Sequence, residues 1–181
     1  MSEYNEIAIT NRRLCKGDFL TQLDWVASQK PWAVLLREKD LPKGAYCKLA
    51  RQANAVCLAH GVPLITHTFP VRGVKKLHVP FALPDAARVL RPPFSVAVHA
   101  PDEAKKAVAM GASFVIAGHV FATGCKPGLP PRGLDWLRGI CAAAEVPVFA
   151  VGGITPQNAP LCLQAGAAGI CRMSYWMEHN P

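Results

Sequence analysis

The stretch Pro147-Val148-Phe149-Ala150-Val151-Gly152-Gly153-Ile154-Thr155-Pro156 contains in miniature the plan of the whole chain. A short apolar run ends in two glycines. Threonine followed by proline then marks a helix start, as an N-cap followed by an N1 proline. The run is apolar at every position rather than at alternate ones. Strands covered on both faces, as in a parallel sheet, read this way.

The same unit recurs outward in both directions. Strand-like runs occur at 7–10, 32–36, 63–66, 76–79, 94–98, 113–117, 147–151 and 168–171. Helix punctuation lies between several of them. Pro42 opens a stretch that ends before Gly61, with Tyr46, Leu49, Ala53 and Val56 at helical spacing. Pro101, Asp102 and Glu103 begin a helix that Gly111 stops. The helix from Thr155–Pro156 ends at Gly166, and residues 84–90 suit one or two further turns.

Eight strands with intervening helices predict a compact (β/α)₈ TIM barrel, with an open doubly wound sheet as the competitor. The chain is short for a barrel, whose usual floor is roughly 200 residues. Two economies account for this. Only 69–75 separates the third and fourth runs, and the sequence stops at Pro181 soon after the eighth, leaving no full eighth helix. Tyr175, Trp176 and Met177 are expected to fold over the flank so exposed, or a second copy covers it in a homodimer. No linker divides the sequence, so residues 1–181 read as one domain.

Composition narrows the class. Of 181 residues, 51% are hydrophobic and 18% charged, which excludes a disordered chain. No apolar run reaches the roughly 18 residues of a membrane span. Residues 1–10 lack the charged and apolar regions of a secretory signal, so a cytoplasmic protein is expected. The net charge of +8 suits an anionic ligand. Its dispersal, without a basic run, argues against nucleic acid. Seven cysteines without a CxxC pair imply free thiols.

In a parallel barrel the active site lies at the C-terminal ends of the strands. There stand Arg37-Glu38-Lys39, Thr66-His67, Gly118-His119-Val120, Gly152-Gly153 and Arg172-Met173-Ser174. The glycine pair before a helix start suits phosphate, with an ordinary tight turn as the bland alternative. The loop from Gly118 to Gly128 carries Thr123, a hydroxyl donor, and Lys126, a cation for a carboxylate or phosphate. His119 is either the acid–base group, with an ordinary pKa of about 6.5, or a satisfied core histidine. His67, His78 and His99 sit near other strands, but no metal-binding spacing links them. No metal is expected, and Cys125 reads as a bystander thiol.

Gly118-His119-Val120-Phe121, Thr123, Cys125-Lys126, Gly128 and Arg132-Gly133 resemble the strand-six loop of the TenI proteins, in the thiamine phosphate synthase/TenI superfamily. Arg37-Glu38-Lys39, the segment 61–65, the segment 95–99, the segment 146–156 and the segment 165–170 resemble other parts of that barrel, so the likeness runs along nearly the whole chain. The superfamily's synthases couple a pyrimidine pyrophosphate to a thiazole phosphate with magnesium. Against them, this sequence has Leu35 for a glutamine, Thr66-His67 for Asn-Asp, and Val79-Pro80-Phe81-Ala82 where an acid is usual. The resemblance therefore implies the other branch. That branch is a thiazole tautomerase, an isomerase shifting a proton on a carboxythiazole phosphate without any cofactor, with transferase activity expected to be lost; a magnesium-dependent synthase and a non-catalytic regulatory or ligand-binding protein are the alternatives. By the same resemblance His119 is the acid–base residue. Gly152, Gly153 and Ser174 would bind the phosphate, Thr123 and Lys126 the carboxylate end, and Arg37 and Lys39 face the ligand.

Overall fold

The computed structural model describes residues 4–82 and 93–178. Eight parallel strands follow one another around a closed barrel: β1 (Asn5–Ile9), β2 (Ala33–Leu36), β3 (Leu64–His67), β4 (Lys76–Pro80), β5 (Phe94–Val98), β6 (Phe114–Gly118), β7 (Val148–Val151) and β8 (Gly169–Arg172). The barrel is the expected architecture, and the open sheet is excluded. Every strand lies within two residues of its expected run, because continuous apolar tetrads leave little freedom of register. Between them run α1 (Phe19–Ser28), α2 (Lys43–Ala59), α3 (Pro101–Ala109), α4 (Gly133–Ala143), α5 (Ala159–Gln164) and α6 (Ser174–Met177). The turns expected at 84–90 lie outside the described residues. No helix among the described residues is long and apolar enough to cross a membrane.

The chain forms two compact units, one running to His78 and resuming at Met173, the other spanning Val79–Arg172. In the first, Ile7 pairs with Ala33, Val34 with Leu64 and Ile65 with Lys76. Helix α2 buries Tyr46, Ala50, Ala53 and Cys57, with Leu49 and Val56 only partly covered. The stripe is thus turned by one residue at alternate positions from the expected one. The small Ala50 and Ala53 let the helix backbone settle closer to the strands than leucine would allow.

The four-residue α6 belongs to this first unit and fills the place where a longer helix was expected to be missing. Trp176 is buried and its indole N–H donates to Glu6 Oε1 at 2.6 Å. Gln22 donates to the Trp176 carbonyl at 2.7 Å, and Met177 is fully buried in the cluster of Leu23, Val26 and Val34. The chain's own aromatic and thioether groups thus cover apolar surface of this unit.

In the second unit, Ser95 pairs with Phe114, Val115 with Val148 and Phe149 with Gly169. Helix α3 starts and stops as its proline, acids and Gly111 dictate. The helix after β7 departs from expectation. It begins at Ala159, not Thr155, and has six residues. Asn158 accounts for the delay. Its Oδ1 accepts from the Thr155 amide at 2.8 Å and its amide group donates to the Gly153 carbonyl at 3.0 Å, which holds 153–158 as a turn. So short a helix contributes little dipole to an anion.

Replacing Trp176 with Phe deletes the bond to Glu6 and removes part of a buried ring. A loss of about 1.5–3 kcal/mol is expected, the usual range for a hydrogen bond to a charged group, measured as a lowered urea midpoint.

Candidate active site

Strand β6 delivers His119 at its end, through a cis Gly118–His119 peptide. The imidazole is 5% exposed, and neither ring nitrogen has a hydrogen-bond partner among the described residues. The backbone around it is fully tied. Val120 N–H donates to the Val151 carbonyl and Phe121 N–H to the Gly152 carbonyl, both at 3.0 Å. The far end of the loop returns to the same place, with Arg132 N–H donating to the His119 carbonyl at 3.2 Å and Gly133 N–H to the Val120 carbonyl at 2.9 Å.

The glycine pair after β7 lies directly against this loop. Gly152 has φ +105°, and a Cβ there would stand 2.3 Å from His119 Cβ. A Cβ on Gly153, at φ +64°, would stand 2.2 Å from the Ala122 carbonyl oxygen. The pair is required for the approach of two backbones, whatever it binds.

Thr123 and Lys126 share the loop after His119. The Thr123 hydroxyl accepts from the Cys125 amide at 3.3 Å, and the Lys126 amide closes a turn on the Thr123 carbonyl at 3.1 Å. Thr123 therefore shapes the turn. The Lys126 amine is engaged by no group among the described residues. Arg132, whose role the residue pattern had not revealed, stitches the loop to its neighbour. Its guanidinium donates to the His99 carbonyl at 3.1 Å and lies 5.3 Å over the Trp136 ring. His99 itself is exposed, with its amide on Glu103 at 2.6 Å.

In the first unit, Arg37 and Lys39 follow β2. Glu38 between them is buried and structural. It accepts from the Thr10 hydroxyl at 2.6 Å, the Arg12 amide at 3.1 Å and the Arg12 guanidinium at 3.2 Å. Asp40 receives the same guanidinium through two bonds of 2.6 Å. That bonding holds Asp40 at a pKa of about 2 and raises Arg12 above its ordinary value. On the next two strands His67 and His78 face each other in register, ring centroids 5.8 Å apart. Burial, reinforced by the charges of Lys39 and Arg37, lowers His67 to about 4. Burial together with the neighbouring His67 and the same cations lowers His78 to about 3. Tyr46 fixes this corner, accepting from the His67 amide at 2.6 Å and donating to the Leu36 carbonyl at 2.8 Å. Ser174 opens α6 and is exposed.

Sequence comparison bears on what these groups serve. The family described as thiamine monophosphate synthase (TMP-TENI) matches residues 6–175. The chain belongs to this family. A thiamine-phosphate synthase of Moorella thermoacetica is 34% identical over 152 residues, covering 78% of this chain and 72% of its own. One of Coprothermobacter proteolyticus is 31% identical over 176 residues, covering 92% and 83%. A solved thiamine phosphate pyrophosphorylase from Pyrococcus furiosus superposes with a TM-score of 0.82 over 97% of this chain and 88% of its own, at 22% identity, which bears on the fold alone.

These relatives carry the name of a transferase. They overturn the thiazole tautomerase expected from the sequence, its isomerase class, and the expectation that transferase activity is lost. That expectation gave a few substituted positions more weight than the match along the whole thiamine monophosphate synthase family. The TenI branch is not distinguished from the synthases by these relatives.

The magnesium that the family resemblance brings with it wants hard oxygen ligands. At the β3 position concerned this family member has His67, a buried imidazole beside two cations, at the β4 position it has Val79-Pro80-Phe81-Ala82, and the loop carboxylates Glu38 and Asp40 are committed to Arg12. This donor set does not fit magnesium, and no step is derived through it.

Two outcomes follow. Gly152→Ala drives a methyl into His119 at a positive φ, so a loss of at least about 1–3 kcal/mol is expected from overpacking alone, read in a denaturant titration. The two depressed histidines set a pH dependence. Unfolded imidazoles titrate near about 6.5, so the unfolded chain binds more protons from there down to the folded values. Stability is fullest above about pH 6.5 and falls as pH drops toward about 4. His78→Gln should flatten that fall in urea midpoints taken at several pH values.

Proposed function

We propose that this chain is a transferase of the thiamine-phosphate synthase type, a single barrel domain joining a pyrimidine pyrophosphate to a phosphorylated thiazole. In that step a carbon–oxygen bond to pyrophosphate breaks and a carbon–nitrogen bond to the thiazole forms. Pyrophosphate leaves with the electron pair. Family membership over residues 6–175 and the names of the relatives support the reaction class.

The observation that carries the reading in this chain's own geometry is His119. A buried imidazole with no partner on either nitrogen among the described residues costs about 1–3 kcal/mol of lost hydration, and a polar ligand seated against it recovers that cost. We assign His119 to the thiazole half as the residue that touches it. The backbone of Gly152 and Gly153 lines the phosphate, and Lys126 supplies a cation to the same half, on a turn that Thr123 shapes. Arg37, Lys39 and Ser174 offer two cations and a hydroxyl to substrate anions in the first unit.

The test supplies both substrates to the purified protein in magnesium-containing buffer and follows products by chromatography. Thiamine phosphate and pyrophosphate are expected in equal amounts. His119→Ala should lower the rate at least about tenfold, the equivalent of about 1.4 kcal/mol, with the thermal midpoint retained. A folded wild-type protein that forms no thiamine phosphate would overturn the reading.

A further inference from the structure

We infer that Arg132 is a positioning residue for His119, a clasp that ties the end of β5 and the first turn of α4 to the backbone that carries the imidazole. The inference goes past the assignment of His119, and it rests on the transferase reading only for the rate assay that tests it.

The loop after β6 leaves at His119 and comes back to it. Its interior is built of short turns, with the Lys126 amide on the Thr123 carbonyl and the Leu129 amide on the Lys126 carbonyl. Its last stretch is Pro130-Pro131, a pair with fixed φ and no N–H to give. The first donors after them are the amides of Arg132 and Gly133, which close the loop on the His119 and Val120 carbonyls. Compact surface loops whose ends meet are frequently functional. In this one the return is stiff, so a displacement of residue 132 is passed to residue 119.

Arg132 is an unusual choice for its position. It is the N-cap of α4, where serine, threonine, aspartate or asparagine would accept a bond from an early helix amide. A guanidinium offers no acceptor, and this N-cap makes no side-chain capping bond. The side chain crosses instead to the neighbouring strand end. It donates to the His99 carbonyl at 3.1 Å, and the Trp136 indole N–H donates to the same oxygen at 3.2 Å. Trp136, one helical turn on, also lies beneath the guanidinium, 5.3 Å from it. A planar guanidinium can stack on an indole while its edge reaches a carbonyl, which an ammonium cannot do.

The anchor is itself held. His99 directly follows β5, and its amide is on Glu103 at 2.6 Å. Pairing of Val98 with Ala117 sets that strand end beside β6. Contacts therefore run from β5 through the Arg132 side chain to the Arg132 amide and the His119 carbonyl. Arg132 makes no hydrogen bond to the imidazole nitrogens, so it acts through the backbone of residue 119.

The test follows turnover and ring signals in the full chain. Arg132→Ala should lower kcat/KM for the thiazole phosphate at least about fivefold and leave KM for the pyrimidine pyrophosphate within about twofold. Arg132→Lys should recover part of the loss. In a His119→Ala background the same Arg132→Ala change should cost less than about twofold, because a residue that acts through the imidazole then has nothing to act on. A purely structural clasp would cost the same in both backgrounds. The second readout needs no substrate. NMR signals of the His119 ring nitrogens, assigned by their loss in His119→Ala, should shift in Arg132→Ala, with those of His67 and His78 unmoved. Equal losses in the two backgrounds, or His119 ring signals that Arg132→Ala leaves in place, would each overturn the inference. The two readings fail separately. A wild-type protein that forms no thiamine phosphate sinks the transferase, and the ring signals then decide the clasp alone; turnover with equal losses in both backgrounds keeps the transferase and sinks the clasp.

Discussion

The second unit turns on one close approach. The loop after β7 reaches the loop after β6 only because residue 152 has no side chain, since a Cβ there would sit 2.3 Å from His119 Cβ. That approach permits the bonds from Val120 and Phe121 to the Val151 and Gly152 carbonyls. Those bonds fix the backbone on either side of His119, and Arg132 closes the loop behind it. An imidazole with unsatisfied nitrogens would otherwise swing toward water. Here the imidazole is buried, with neither nitrogen bonded among the described residues.

The first unit works by the opposite device, in which hydrogen bonds are fully used to leave charge over. Glu38 takes four contacts from Thr10 and Arg12, and Asp40 takes the rest of Arg12. Both loop acids are therefore occupied by a guanidinium that precedes them in the chain. Arg37, their neighbour in sequence, has its guanidinium bound by no group among the described residues. Burial first, and the nearby cations after it, lower the pKa of His67 and His78.

Much of this was legible in the sequence. Parallel strands buried on both faces must be apolar throughout, and all eight were visible for that reason. The glycines at 152 and 153 were visible because a strand ending in two of them is uncommon, and His119 because it ends an apolar strand. Other features depend on partners far apart in the chain. Trp176 was expected to cover an open flank, but its partner Glu6, 170 positions away, is not nameable from the sequence. Asn158 looks like a helix residue until its side chain ties Gly153. The structural work of Glu38 cannot be read from Arg37-Glu38-Lys39, since only the return of Arg12 reveals it.

The fold and family followed from many residues, whereas the reaction was read from a few, and there the reading went astray. Loss of carboxylates does not by itself mean loss of the transferase chemistry. To equate the two assumes that a leaving diphosphate can be neutralised only by a metal held on acids. Charge stabilisation of a leaving group requires fixed positive charge in a site with little water, and its chemical origin is secondary. Arginine and lysine provide fixed charge, and neutral imidazoles provide donors without adding a proton to be displaced. Replacement of one acid by His67 and of another by an apolar run therefore says nothing by itself against the transferase chemistry.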